Sequence, residues 1–323
     1  MAHIYVYSPS GAVRDRAAFR RGVQRLQRMG HQVEVDTAAL ARLQRFAGDD
    51  ATRLAAIARA AASGADVALI SRGGYGLTRL LPALPYKAIA RAVERGTQFV
   101  GISDFTALQL ALLQQTGAVT WAGPALCEGF GVADAARHAD GHGPAAGEGG
   151  PDEIMLACFD DLISGSGEGT GWRLPAGDLA ALNGRDGLLA RQATLWGGNL
   201  ALVASLLGTP WWPQVKGGVL FLEDVGEHPY RIERMLAQLL HAGVLARQKA
   251  IVLGQFTEYK LTPHDRGYSM AKVVDWLRSQ LKVPVLTGLP FGHVPTKVLL
   301  PVGQPVDLLV ERKDALALWG HRH

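Results

Sequence analysis

The sequence predicts an α/β protein: a parallel sheet with helices on both faces, followed by a second, smaller α/β domain. Three observations lead there. Short apolar runs alternate with helical stretches through the first 125 residues, and continuous apolar strands belong to sheets covered on both sides. The 39 glycines among 323 residues suit a chain with many strand–loop–helix turns. A stretch from Ala133 to Pro151, rich in Gly, Ala, His and Asp and without hydrophobic periodicity, separates the two halves.

The elements follow in order. His3–Tyr7 reads as a strand, then the turn Ser8-Pro9-Ser10-Gly11, a helix over Asp15–Met29 and a strand over Gln32–Val35. Asp50–Ala62 is a strongly helical, alanine-rich stretch ended by Gly64. Val67–Ile70 and Gln98–Gly101 are short apolar strands, a helix is expected over Asp104–Gln115, and Val119–Trp121 closes the series. Sheets of this kind place their sites at the carboxyl ends of strands. In the second half, strands are expected at Trp172–Leu174, Gly187–Gln192, Val219–Leu222, Ala250–Leu253, from Val285 and at Val306–Val310. Helices are expected at Asn199–Leu207, Pro229–His241 and Met270–Gln280. The expected domains are 1–132 and 171–323, with 133–170 as a linker or flexible loop.

Composition narrows the function class. Hydrophobic residues make up 48%, charged residues 19%, and the net charge is +4, which describes a globular chain without a nucleic-acid footprint. Arg14, Arg16, Arg20, Arg21, Arg25 and Arg28 form a basic helix face, read as solvated because no aromatic interleaving accompanies it. Cys127 and Cys158 are too few for a disulfide framework and read as buried small hydrophobes. No signal-peptide pattern and no run of about 18 apolar residues occurs, so a cytoplasmic protein without a membrane span is expected.

Three strings after β-like runs carry the chemistry: Gly101-Ile102-Ser103-Asp104, Leu222-Glu223-Asp224 and Pro290-Phe291-Gly292-His293. A serine hydroxyl needs a base to take its proton, and the base needs an orienting partner. Ser103 lies between a strand and a helix, as at a nucleophile elbow, although Phe105 stands where that pattern has glycine. Ser103 as a plain helix N-cap is the competing reading. Arg72-Gly73-Gly74-Tyr75-Gly76 can point backbone N–H groups into a site, or be a simple glycine turn. Asp224 and Glu227 compete with Glu223 for the acid, and His228 and His264 with His293 for the base. His138 and His142 fall in the irregular segment. Trp196-Gly197-Gly198-Asn199 offers close backbone approach and an amide, or only a helix cap at Asn199. No His-Glu-x-x-His or Cys-x-x-Cys spacing points to a metal.

Together with Ser8-Pro9-Ser10-Gly11, Leu220-Phe221-Leu222-Glu223-Asp224 and Gly288-Leu289-Pro290-Phe291-Gly292-His293, these strings resemble the LD-carboxypeptidase family of serine peptidases, which is related to the microcin-immunity peptidases. The resemblance runs from near residue 4 to near residue 310, apart from the linker. It implies a glutamine-amidotransferase-like first domain and a swivelling β/α second domain. It also implies a cytoplasmic homodimer that needs no metal or cofactor and releases the terminal D-alanine of murein tetrapeptide during peptidoglycan recycling. The implied roles are Ser103 as nucleophile, His293 as base, Glu223 as its acid, and the N–H groups of Gly74 and Asp104 as the oxyanion hole. Arg72, Gly73, Trp196, Gly198 and Asn199 are the expected substrate contacts, with Arg72 proposed for the terminal carboxylate or for a structural acid. The competing functions are amide hydrolysis in a peptide–nucleotide antibiotic, non-catalytic binding, and a glutaminase, which would need a cysteine nucleophile.

Overall fold

The computed structural model describes residues 1–134, 149–184 and 186–320. The chain forms two compact units, Met1–Ser166 with Pro295–Leu300, and Gly167–Val294 with Pro301–His323.

In the first unit the elements are β1 (His3–Tyr7), α1 (Arg16–Arg28), β2 (Gln32–Val35), α2 (Asp50–Ala62), β3 (Val67–Ile70), α3 (Tyr86–Glu94), β4 (Gln98–Gly101), α4 (Phe105–Thr116), β5 (Thr120–Ala122) and α5 (Glu153–Ser164). The strands lie side by side in the order β5-β4-β3-β1-β2, every pair parallel. The chain steps from β1 outward to β2 and then crosses to β3 on the other side. Strand order therefore reverses between β1 and β3, and it is at the carboxyl ends of strands at such a reversal that open α/β sheets place their sites. Helix α4 is buried from Phe105 to Leu112, which explains its almost wholly apolar sequence. Gly117 ends it in the left-handed conformation, at φ 73°.

Two expectations change here. Residues 153–164, expected in the linker, form α5, whose Met155 and Phe159 are fully buried in the core of the first unit; Phe159 meets Phe130 edge-on at 4.8 Å. Aspartate 152 caps it by accepting the Met155 N–H at 2.9 Å. The expected segment between 135 and 148, with His138 and His142, lies outside the described residues. The basic face of α1 is not wholly solvated, because Arg21 Nε donates to Gly131 O and Arg25 Nη1 to Val132 O, each at 2.9 Å.

The elements that follow are β6 (Gly169–Arg173), α6 (Ala176–Ala181), β7 (Gly187–Asn199), α7 (Leu200–Leu206), β8 (Val219–Val225), α8 (Pro229–His241), β9 (Ala250–Thr257), α9 (Met270–Gln280), β10 (Val285–Leu286), β11 (Leu300–Val302), β12 (Pro305–Glu311) and β13 (Asp314–Leu318), and all but β11 build the second unit. Its sheet is mixed. Strands β10-β9-β8-β7 run parallel, and β12, β13 and β6 continue it antiparallel. Strand β11 joins the edge of the first sheet beside β5, at the short stretch where the chain returns. Strand β7 runs seven residues past its expected end at Gln192. Glycine makes this possible: a Cβ on Gly197, at φ 132°, would collide with the Phe221 carbonyl of neighbouring β8.

Candidate active site

The first unit gathers three loops at carboxyl ends of its strands: Ser8–Val13 after β1, Ser71–Gly76 after β3, and Ile102–Asp104 after β4. Ser103 holds a left-handed backbone, φ 67°. A non-glycine residue in that region is strained and persists only where the surroundings enforce it, as at a nucleophile elbow. Glycine 73 packs directly against it: a Cβ there would stand 2.7 Å from Ser103 Cβ and 2.9 Å from Ser103 Oγ. The loops are stitched together by Gly11 N donating to Gly73 O at 3.2 Å and by the Ser8–Ser71 hydroxyl pair at 2.6 Å.

Gly74 adopts φ 123°. Among the described residues, neither its N–H nor that of Asp104 donates to a backbone or side-chain acceptor. The Asp104 carboxyl is fully buried and accepts the Leu77 N–H at 2.9 Å, fastening the glycine loop to the start of α4. Burial raises its pKa, against the opposing pull of its hydrogen bonds. The Arg72 guanidinium packs beside Gly11, reaches the Ala12 carbonyl at 3.5 Å and pairs with Glu128 at 3.6 Å, so it already has an acidic partner.

In the second unit, Glu223 sits fully buried near the end of β8. The β8–β9 register slips by one residue beside it, between Leu222 and Asp224. The slip frees Gln255 N to donate to Phe291 O at 2.8 Å, while Gln255 Nε2 holds Leu289 O at 3.1 Å. These two bonds lash the loop before His293 to β9. Gly292, φ 141°, passes so close that a Cβ would lie 3.0 Å from Gln255 O and 3.4 Å from Glu223 Cβ. His293 follows directly, with Nδ1 2.8 Å from Glu223 Oε2.

The competing acids and histidines have other work. Asp224 accepts the N–H groups of Ala201 at 2.9 Å and Val225 at 2.8 Å. Burial, followed by the charge of Glu223, pushes its pKa up to about 6 despite these bonds. Glu227 pairs with Arg231 one helical turn on, at 2.5 Å. His228 caps α8 and lies 3.3 Å from Asp265, and His264 belongs to a short capping-box turn. Among the described residues His293 alone meets an acid that is fully buried.

Asn199 caps α7 by accepting the Leu202 N–H at 3.2 Å, and its Nδ2 donates to Asp224 Oδ1 at 2.9 Å and toward Glu223 Oε1 at 3.3 Å. It thus bridges the two adjacent acids, a role the sequence reading missed. Gln255 was missed too, although the lone glycine beside it, Gly254 in an apolar strand, is the usual sign of a bulge or close backbone approach. Gly198 is paired within the sheet opposite Leu222. Trp196, expected to touch a ligand, is corrected: it is fully buried, its Nε1 donates to Gln248 Oε1 at 3.0 Å, and its ring meets Trp212 edge-on. The continuation of β7 through this residue places it in the core. Among the described residues, no group of three or more His, Cys, Asp and Glu is placed to hold a metal ion, and no helix is long and apolar enough to cross a membrane.

Residues 4–123 match the family model of the LD-carboxypeptidase N-terminal domain, and residues 192–308 that of the LD-carboxypeptidase C-terminal domain. A putative carboxypeptidase of Streptomyces coelicolor is 34% identical, over 95% of this chain and 90% of its own length. The murein tetrapeptide carboxypeptidase of Pseudomonas aeruginosa is 30% identical, over 73% of this chain and 70% of its own. The crystal structure of a muramoyltetrapeptide carboxypeptidase from Oxalobacter formigenes superposes with a TM-score of 0.82 at 36% identity, covering 99% of each chain.

Proposed function

This chain belongs to the LD-carboxypeptidase family, and we propose that it hydrolyses the bond to the terminal D-alanine of murein tetrapeptide through an acyl-enzyme on Ser103. The observation that carries the reading is the 2.8 Å contact of His293 Nδ1 with the buried carboxylate of Glu223. A carboxylate can only accept, so it fixes the neutral imidazole with its proton on Nδ1 and leaves Nε2 as the basic nitrogen.

The reaction needs Nε2 within hydrogen-bond reach of the Ser103 hydroxyl. His293 takes the serine proton as Oγ attacks the carbonyl of the third residue. The N–H groups of Gly74 and Asp104 stabilise the oxyanion. The imidazolium, held by Glu223, then gives its proton to the departing D-alanine amine. Water, deprotonated by the same histidine, cleaves the ester and restores Ser103. Every proton passes through His293. We further read the protein as a cytoplasmic homodimer, as the family resemblance implies.

Incubating the purified protein with murein tetrapeptide, alongside Ser103→Ala, tests the reading by mass spectrometry. Tripeptide and free alanine from the wild type only are expected. Release by neither protein would sink the reading, and release by both would remove Ser103 as nucleophile.

A further inference from the structure

A carboxypeptidase acting on an acidic stem peptide needs a cation for the substrate's carboxylates, and in the first unit the arginines nearest the glycine loop are largely committed. Arg72 is paired with Glu128. Arg53 is fully buried and paired with Asp50, which also takes Arg79 at 2.9 Å. Arg45 is different. It is exposed, and among the described residues its guanidinium has neither ion-pair nor hydrogen-bond partner. It lies over the face of Tyr75, 5.8 Å from the ring centroid.

The location matters as much as the charge. Tyr75 directly follows Gly74, and 44% of its surface is exposed. The backbone of the Arg45 loop is bound to the nucleophile's neighbourhood: Ala12 N donates to Arg45 O at 2.9 Å, Gly11 bridges to Phe46, and Gly11 N donates to the carbonyl of Gly73, which packs on Ser103. Phe46 is itself packed against the guanidinium groups of Arg53 and Arg79, 4.8 and 5.0 Å from its ring centroid, with the Tyr75 ring at 6.0 Å. The unpaired cation is therefore carried on a braced loop that is tied to the glycine loop by two successive hydrogen bonds through Gly11 and Ala12.

We infer that Arg45, poised on the ring of Tyr75, is a specificity-determining residue that binds a carboxylate of the acidic stem peptide. The inference rests on the carboxypeptidase reading. The carboxylate can be the one on the terminal D-alanine or one further along the stem, and both offer the same planar acceptor to the guanidinium fork.

The test is steady-state alanine release by the full chain. Arg45→Ala and Arg45→Gln are expected to raise KM about tenfold, with kcat within about twofold, the signature of lost ground-state binding. Arg45→Lys should recover part of the loss, and Tyr75→Ala should mimic Arg45→Ala. Arg42→Ala, an exposed charge on the same loop, should leave KM unchanged. Tetrapeptides amidated at the terminal or at an internal carboxyl identify the source: for the carboxylate bound by Arg45, amidation raises the wild-type KM and removes the difference between wild type and Arg45→Ala. An unchanged KM in Arg45→Ala, or a KM rise that persists with both amidated peptides, overturns the inference while the wild type still releases alanine. If the wild type releases none, the function reading has failed instead.

Discussion

His293 Nδ1 and Glu223 Oε2 stand 2.8 Å apart, the glutamate without solvent exposure and the imidazole side chain 24% exposed. A buried acid behind a partly open imidazole is what a general base requires: one ring nitrogen is fixed, and the basic one can meet solvent or substrate. Replacing Glu223 with Gln keeps the shape but allows the wrong tautomer. Glu223→Gln is expected to lower kcat by roughly 100- to 10,000-fold with circular dichroism unchanged. Activity within a few-fold of wild type would show that the acid does not orient the base.

Gly73→Ala tests the packing behind Ser103, the proposed nucleophile. Its Cβ would stand 2.7 Å from Ser103 Cβ, and neither backbone can retreat easily, because Gly73 O is bonded to Gly11 N. Activity should fall at least about 100-fold, with a stability loss of about 1–3 kcal/mol. Denaturant unfolding and alanine release together check this.

Asn199→Ala removes a helix cap and the bridge between two buried acids. A lost cap costs about 1 kcal/mol, and the hydrogen bonds withdrawn from the two buried carboxylates add a further penalty of about 1–3 kcal/mol. A lower unfolding midpoint in urea, accompanied by reduced kcat, is expected. A drop in kcat alone, at unchanged stability, would contradict the structural role.

Asp224 makes stability depend on pH. Its carboxyl holds its proton more tightly when folded, with a pKa near 6, than in the unfolded chain, so folding takes up a proton. The contribution is fully present below the ordinary aspartate pKa and is lost as pH rises through about 6. The difference is at most about 2–3 kcal/mol. Thermal melts from pH 4 to 8 should show this component in the wild type and not in Asp224→Asn. The variant should be less stable throughout, since its amide N–H faces backbone N–H donors.

Cys127 is half-buried, and burial pushes its thiol up to about 12. Little thiolate then exists at neutral pH. Iodoacetamide applied to the native protein at pH 7 should leave alanine release intact. Rapid inactivation traced to Cys127 by peptide mapping would argue for a cysteine nucleophile.

The sequence by itself determined where the chemistry-bearing residues stand relative to the elements. Apolar runs such as Val67–Ile70 and Gln98–Gly101 are strands because only a sheet covered on both faces buries such residues throughout, and that alone places Ser103 and the glycine loop at carboxyl ends. Helices α2, α8 and α9 have the residue limits expected from their apolar spacing and flanking residues. What only the tertiary structure decided is which side chains meet. That Glu223, rather than Asp224 or Glu227, holds His293 depends on a one-residue slip between β8 and β9 and on Gly292 fitting beneath Gln255. Trp196 lies in the core because β7 continues past it through Gly197, whose missing Cβ leaves room for the Phe221 carbonyl of β8. Arg72 and Arg45 carry the same charge, but an acid from a distant part of the chain, Glu128, reaches the first, whereas the second is exposed over the ring of Tyr75. Local patterns follow from short-range sterics and burial, whereas these pairings depend on contacts between residues far apart in sequence, and no local periodicity encodes those.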